Sequence, residues 1–146
     1  MSSRFMTPNA IGVIITREND NGATEILLQK RKNNMWDLAV GGHVESGESL
    51  TDAVIRETNE ELGIEILKKD VSFSTCSYTK FEERPYNFYY FKVDKFSKIP
   101  IIKEPEKCLD LRWFKLEALP ESLIPDVKTI INNHINGIKF TELGWD

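Results

Sequence analysis

The segment 41–64, GGHVESGESLTDAVIRETNEELGI, restricts the fold of this chain most strongly, because it joins a glycine turn to a helix with clear end signals. Ser46 or Ser49 can cap the start of that helix, and Asp52 follows Ser49 at capping-box spacing. Gly63 is the kind of residue at which helices commonly end. The sequence therefore predicts a helix that starts directly after a tight turn.

Two glutamates occupy the face of this helix that should be buried. At about 100° per residue, Glu57 and Glu61 fall in register with Leu50 and Val54. Like charges four residues apart repel each other, and acids in the last turn oppose the helix dipole. The arrangement therefore costs stability unless a cation binds it. Carboxylates one turn apart supply the oxygen ligands that hard cations such as Mg²⁺ and Mn²⁺ require.

A solvated helix end is the alternative interpretation of the same region. Arg56 and Glu60 are four residues apart and would form a surface ion pair worth roughly 0.3–0.5 kcal/mol. This pair explains Arg56 and Glu60, but it leaves Glu57 and Glu61 without a partner. A metal site on the second half of the helix is therefore the better hypothesis.

The rest of the chain shows β-rich runs separated by turn signals. AIGVIIT (10–16) and TEILLQKR (24–31) flank Asn21-Gly22, which is a strong hairpin signal. Further extended runs are predicted at 35–44, 71–81, 86–96 and 109–116, and a second helix at 125–137. Five or six strands with two helices predict an α/β or α+β sandwich.

Length and composition favour one domain spanning residues 1–146. The net charge of -4 gives no electrostatic reason to bind a nucleic acid polymer or an anionic membrane. No apolar run is long enough for a signal peptide or a membrane span. Cys76 and Cys108 are isolated, as is typical of reduced thiols, so we expect a cytoplasmic protein.

The spacing of residues in 41–64 resembles the Nudix box of the Nudix (MutT-like) hydrolases. The matching positions are Gly42, Glu48, Arg56, Glu57, Glu60, Glu61 and Gly63, followed by the aliphatic Ile64. Seven fixed positions at about 7% usage each would match by chance at about 10⁻⁸ per starting site. Thr58 departs from the family pattern, which has an aliphatic residue there, and we expect its methyl group to pack instead. The resemblance implies an α/β/α sandwich with a mixed β-sheet between helices.

The resemblance also implies roles for individual residues. The helix would supply three ligands for Mg²⁺ or Mn²⁺, namely Glu57, Glu60 and Glu61. The carbonyl of Gly41 would complete the metal shell, Arg56 would orient the glutamates by salt bridges, and Glu48 would be structural or outer-shell. One glutamate, most often that at the Glu57 position, would act as base toward the attacking water.

Candidate residues outside the box are less strongly specified. Lys30 and Arg31, at the end of the second predicted strand, would either contact phosphate or form a solvated strand end. A further metal ligand commonly comes from a distant loop, and Glu106 is preferred over Glu104 because it lies seven residues before Trp113. One pair of aromatic residues in 88–91 should face the core, and the other is available to line a pocket.

Nudix enzymes cleave a nucleoside diphosphate linked to another group by attack of water at phosphorus. The resemblance thus implies a metal-dependent hydrolase for a small nucleotide-type substrate. Nucleoside triphosphates are the favoured substrates, and a house-cleaning pyrophosphatase like MutT is one such function. A nucleotide-sugar or ADP-ribose pyrophosphatase is an alternative. A catalytically silent, ligand-binding Nudix domain is another, although such domains usually lose the box glutamates. The C-terminal FTELGWD either folds over the pocket or packs at a subunit contact, as in a homodimer.

Overall fold

The computed structural model describes residues 4–146. Its strands and helices, in chain order, are β1 Asn9–Glu18, β2 Thr24–Lys30, β3 Trp36–Leu38, β4 Val40–His43, α1 Leu50–Leu62, β5 Ser72–Phe81, β6 Arg84–Val93, β7 Asp110–Lys115, α2 Pro125–Asn136 and β8 Phe140–Leu143. A single 3₁₀ turn, Lys68–Asp70, follows α1 in this part of the chain. Neither helix within residues 4–146 is long and apolar enough to cross a membrane.

Strand β1 organises the sheet. It pairs in parallel with β6 along 9–15, and residues 10–16 are buried, as expected for a strand covered on both faces. Near its start β1 also pairs antiparallel with β4, and near its end with β2. The predicted β1–β2 hairpin is confirmed, with Gly22 at φ 79° in its turn.

The extended run predicted at 35–44 forms two short strands and not one, because the chain changes partner at Ala39. Strand β3 pairs with β2, whereas β4 pairs with β1, so that Gly41 lies opposite Gly12. The Gln29 side-chain amide donates to the carbonyls of Leu38 and Ala39, both at 3.0 Å, where the strand ladder is interrupted. This switch brings Gly41 and Gly42 to the start of the central strand. The glycine pair lies within β4 and does not form the turn that the sequence predicted.

The two helices cover opposite faces of the sheet. Helix α1 packs Ala53, Val54 and Leu62 onto one face, and helix α2 packs Val127, Ile130 and Ile131 onto the other. The two faces of β1 contribute to different clusters, with Val13 on the α1 side and Ile14 on the α2 side. The predicted α/β/α sandwich with a mixed sheet is therefore confirmed.

Strand β8 was missed by sequence reasoning. It pairs in parallel with β5, with Cys76 opposite Phe140. Beyond β8, the indole of Trp145 stacks on Tyr78 at 5.2 Å between ring centroids, and its Nε1–H donates to the Tyr78 carbonyl at 2.9 Å. The segment FTELGWD therefore lies along the edge of the sheet and does not line the cavity beside Gly41 and Gly42. Its packing at a subunit contact stays a prediction.

Candidate active site

Helix α1 is fixed at both ends and on its buried side. Ser49 is the N-cap, and its hydroxyl accepts the Asp52 N–H at 3.1 Å. Gly63 ends the helix with φ 71°. Thr58 is fully buried and its hydroxyl donates to the Val54 carbonyl at 2.6 Å, so it fits the apolar stripe as expected. The acidic side chains in the last two turns of α1 are thereby held next to Gly41 of β4.

The carboxyl groups of Glu57 and Glu61 both lie against the backbone of Gly41 and Gly42 in β4. The Gly41 N–H donates to Glu61 Oε2 at 3.3 Å. A Cβ atom added to Gly42 would lie 2.6 and 2.7 Å from the two carboxylate oxygens of Glu57. Only glycine leaves room for a carboxylate this close to the backbone.

The carboxyl groups of Glu57 and Glu61 interact directly. Burial is the main cause that raises the pKa of Glu61 to about 8, followed by the hydrogen bond that protonated Glu61 donates to Glu57 and by the negative charge of Glu57. The Gly41 N–H opposes this shift, and the charge of Glu104 adds to it. A half-buried pair of carboxyl groups that holds a proton near neutral pH is a pair that a cation can occupy instead.

Arg56 connects four carboxylates around the start of this site. Its guanidinium binds both oxygens of Glu48, at 2.6 and 3.0 Å, and it reaches Glu57 at 2.7 Å and Glu60 at 3.3 Å. The fourth acid is Glu45, at 3.2 Å. This geometry is compatible with the orienting role expected for Arg56, which stays a prediction.

The fork between Glu48 and Arg56 shifts the ionisation of both groups. The Arg56 hydrogen bonds, and then the Glu45 N–H, lower the pKa of Glu48 to about 2. The same Glu48 contact is the main cause that holds the pKa of Arg56 above its usual range. The pair is therefore ionised across the physiological range, and Glu48 fixes the guanidinium of Arg56 beside Glu57.

The loop after β6 brings Glu104, rather than the preferred Glu106, toward the acidic pair. The N–H groups of Ile101 and Lys103 donate to the carbonyls of Leu62 and Glu61, at 3.0 and 3.3 Å. Glu104 then shares a small cavity with Glu61 and its charge acts on that residue, whereas Glu106 is exposed. The choice of Glu106 rested on sequence distance from Trp113, which does not report how this loop is bonded to α1.

The donor set of the site fits a hard divalent cation. Carboxylate oxygens of Glu57 and Glu61 already meet, and Glu104 faces the second of them. Within residues 4–146, no three Asp, Glu, His or Cys side chains are preassembled as a complete cation site. Glu60 is bonded to Arg56 and 56% exposed, so its side chain would have to turn toward the others to ligate the same ion.

A cavity of about 410 Å³ lies beside Gly41 and Gly42 of β4. Its lining includes backbone at Gly41 and Gly42 together with aromatic side chains of β5 and β6. This volume is in the range of small-molecule sites, roughly 300–1,000 Å³. The aromatic pair Phe88 and Tyr90 lines it, while Phe91 is in the core with Tyr89 packed against it, as the alternation predicted.

The two candidate basic residues lie in different surroundings. Arg31 lines the cavity, and its Nε is 3.8 Å from Oδ2 of Asp37, which also lines it. Lys30 pairs with Trp36 and Asp110 at the end of β2 and is not part of the cavity wall. Sequence reasoning missed Asp37, although a lone acid within the otherwise apolar run 36–40 was a signal that it could have used.

Comparisons with known proteins agree with this site. The Nudix domain model matches residues 6–133. A Bacillus subtilis (strain 168) protein, proposed to be an 8-oxo-dGTP diphosphatase, is 30% identical over 118 residues, which span 80% of this chain and 75% of the relative. An RNA pyrophosphohydrolase from Ruthia magnifica subsp. Calyptogena magnifica is 27% identical over 138 residues, spanning 92% of this chain but only 65% of that protein.

Solved structures show the same architecture. A MutT Nudix hydrolase from Burkholderia pseudomallei has a TM-score of 0.75 and 27% identity, covering 88% of this chain and 98% of its own. The fold and these matches define a hydrolase that acts on phosphorus-containing anhydrides. Within that class, the chain belongs to the Nudix family, whose members act on small nucleotide substrates and generally use divalent metal ions.

Proposed function

We propose that this protein is a metal-dependent hydrolase that cleaves the phosphoanhydride bond of a nucleoside triphosphate, or of a nucleoside diphosphate derivative, by attack of water at phosphorus. The observation that carries the proposal is the Glu57–Glu61 pair that lies against Gly41 and Gly42 of β4. The same two glycines form part of the wall of a nucleotide-sized cavity. One substrate can therefore present its phosphates to the acids and its nucleoside to the cavity.

The residues proposed to hold the ion, Mg²⁺ or Mn²⁺, are Glu57, Glu60, Glu61 and Glu104, with the Gly41 carbonyl. Glu104 replaces Glu106 in this set because it faces Glu61. A bound divalent ion supplies neutralisation of phosphate charge and activation of water at neutral pH. It also explains how a protein of net charge -4 binds a polyanion.

The side chains of this protein do the positioning. Phosphoanhydride cleavage needs little covalent chemistry from the protein, so catalysis depends on placing the substrate and the attacking water. The Glu57–Glu61 pair supplies the base toward that water. Arg56 holds Glu57 in place through its 2.7 Å contact, and the Glu48 fork holds Arg56. Arg31 and Lys30 remain candidates for contacts to substrate.

A nucleotide panel tests this function. Purified protein is incubated with nucleoside triphosphates, nucleotide sugars, ADP-ribose and dinucleoside polyphosphates, each with Mg²⁺ or Mn²⁺, and release of phosphate or pyrophosphate is followed. We expect turnover of at least one triphosphate. Glu60→Gln and Glu61→Gln should each remove most of that turnover, while Glu142→Gln, an exposed acid on β8, should not.

Circular dichroism and thermal unfolding should show that these variants keep the native fold. Normal turnover in both Glu60→Gln and Glu61→Gln would contradict the metal assignment. Absence of turnover on every compound with either ion would contradict the enzymatic function and would favour a domain that binds a nucleotide-like ligand without cleaving it.

A further inference from the structure

One end of the large cavity carries a carboxylate and a guanidinium that the proposed phosphate chemistry does not use. Asp37 and Arg31 line the cavity together, at the side formed by the ends of β2 and β3. Their closest contact is 3.8 Å, between Nε of Arg31 and Oδ2 of Asp37. A charge-assisted hydrogen bond is about 2.7–2.9 Å long, so neither group is saturated by the other.

Asp37 keeps acceptor capacity toward the cavity. Its Oδ1 accepts the Leu38 N–H at 2.7 Å, which fixes the carboxylate and leaves further lone pairs free. Its side chain is 29% exposed, as expected for a group in a cavity wall. Burial raises the pKa of Asp37, while the charge of Arg31 and the hydrogen bond from the Leu38 N–H oppose this shift.

Aromatic rings form another wall of the same cavity. Tyr86, Phe88 and Tyr90 follow one another along β6, with centroids 5.5 and 6.2 Å apart and interplanar angles of 24° and 18°. The Tyr90 ring lies directly over Gly12, where an added Cβ would come within 2.7 Å of it. These three rings give the cavity a largely aromatic wall, against which a planar heterocycle can pack.

We propose that Asp37 and Arg31 read the pairing edge of a guanine-type base, which makes them the specificity-determining residues of the cavity. This inference rests on the proposed function, because Gly41 and Gly42 of β4 contact both the cavity and the acidic pair and so join the base site to the phosphate site. Guanine presents an acceptor, O6, beside two donors, N1–H and the 2-amino group. Arg31 donates to O6, and Asp37 accepts from the two donors.

The other bases do not match this order of donors and acceptors. Adenine places an amino group where Arg31 needs an acceptor, and its N1 is an acceptor facing the carboxylate. Uracil offers O4 and N3–H correctly, but its O2 would face the second acceptor of Asp37. Hypoxanthine keeps O6 and N1–H and lacks only the 2-amino group, so inosine nucleotides isolate the contribution of that group.

The test compares kcat/KM for GTP, ITP and ATP with Mg²⁺ in the wild type and in Asp37→Asn. The wild type should favour GTP over ITP by roughly tenfold or more, the scale of a bidentate base contact. Asn keeps the oxygen that accepts the Leu38 N–H but presents an amide to the donors of guanine. The GTP-to-ITP ratio should then fall toward one, while Asp94→Asn, which removes the acid of the Lys92 ion pair, should preserve it.

Arg31→Gln separates base recognition from phosphate binding. If Arg31 reads O6, the variant should lower kcat/KM for GTP and ITP by a similar factor and leave that for ATP unchanged. An equal loss for all three triphosphates would show that Arg31 contacts phosphate, and it would overturn its assignment to the base.

Binding of GMP and IMP without metal, measured by calorimetry, tests the base site independently of turnover. Tighter binding of GMP that is lost in Asp37→Asn would support the inference even if no nucleotide were hydrolysed, in which case only the proposed function would fail. Turnover with a GTP-to-ITP ratio near one, or an unchanged ratio in Asp37→Asn, would overturn the inference and leave the proposed function intact. Equal binding of GMP and IMP would also overturn it.

Discussion

Gly42 is the residue at which the backbone and the chemistry of the site come closest. The Glu57 carboxylate occupies the position that a side chain at 42 would need, and it is held there by Arg56. The requirement for glycine at position 42 is therefore set by the Glu57 side chain, which comes from helix α1 later in the sequence. A methyl group added at position 42 therefore displaces the Glu57 carboxylate and leaves the backbone of β4 in place.

We expect Gly42→Ala to lower kcat by roughly 10- to 100-fold, because the new Cβ displaces the Glu57 carboxylate from its position. Stability should change by no more than about 1 kcal/mol, since the displaced group is the end of a flexible side chain. Steady-state kinetics and thermal unfolding of Gly42→Ala measure both quantities. The control is Ser46→Ala, at an exposed position of the loop between β4 and α1. Loss of stability without loss of turnover would contradict the reasoning.

Glu104 and Glu106 form a matched pair of substitutions in one loop. Glu104 acts on Glu61 through its charge, while Glu106 is exposed. Glu104→Gln should weaken Mg²⁺ or Mn²⁺ activation by about tenfold or more, and Glu106→Gln should leave it unchanged. The metal concentration that gives half-maximal turnover is the measurement. The opposite order of effects would restore the original preference for Glu106.

At the scale of elements, helix α1 could be predicted from local sequence signals. The arrangement of the strands and the loop around it depends on contacts between residues far apart in the sequence. Its cap at Ser49, its end at Gly63 and the acidic stripe all lie within one segment, so sequence spacing was sufficient. The switch at Ala39 and the strand β8 depend on which strands lie alongside. Pairing partners far apart in sequence leave no local periodicity, and for the same reason the loop contact of Glu104 with the acidic pair could not be read from spacing.

The ion pair between Glu48, just before α1, and Arg56, within α1, should govern how the stability of the protein responds to acid. The folded pKa of Glu48 is lowered from 4.5 to about 2, so its contribution is present above pH 4.5 and is lost as pH falls toward 2. Glu48→Gln should therefore lower the unfolding temperature at pH 7 and make it less sensitive to acid in this window. Unfolding temperatures measured from pH 2 to 7 check this, with Glu142→Gln as the control. Parallel profiles for Glu48→Gln and wild type would refute it.

At the scale of the whole molecule, the acidic pair couples folding to pH and to metal. The folded pKa of Glu61 is raised from 4.5 to about 8, so the protonated form stabilises the fold below pH 4.5 and this contribution is lost as pH rises through 8. A divalent cation that binds the ionised form reverses the loss. The metal-free protein should therefore be less stable at pH 9 than at pH 6, and added Mg²⁺ should stabilise it more at pH 9.

Unfolding temperatures with chelator or with Mg²⁺, from pH 5 to 9, measure this coupling. Glu61→Gln cannot titrate, so its metal-free profile should be flatter than that of the wild type and its gain from Mg²⁺ smaller. An Mg²⁺ effect that is equal at pH 6 and pH 9 would show that the ion does not compete with this proton.

The C-terminal strand has a consequence for association between chains. Because β8 hydrogen-bonds along β5, it occupies a row of backbone groups that would otherwise be open to a neighbouring molecule. Trp145 fastens the end of this cover through its bond to the Tyr78 carbonyl. A substitution that releases the indole should loosen β8 and expose the longer edge of β5, and self-association should rise even with the catalytic groups intact.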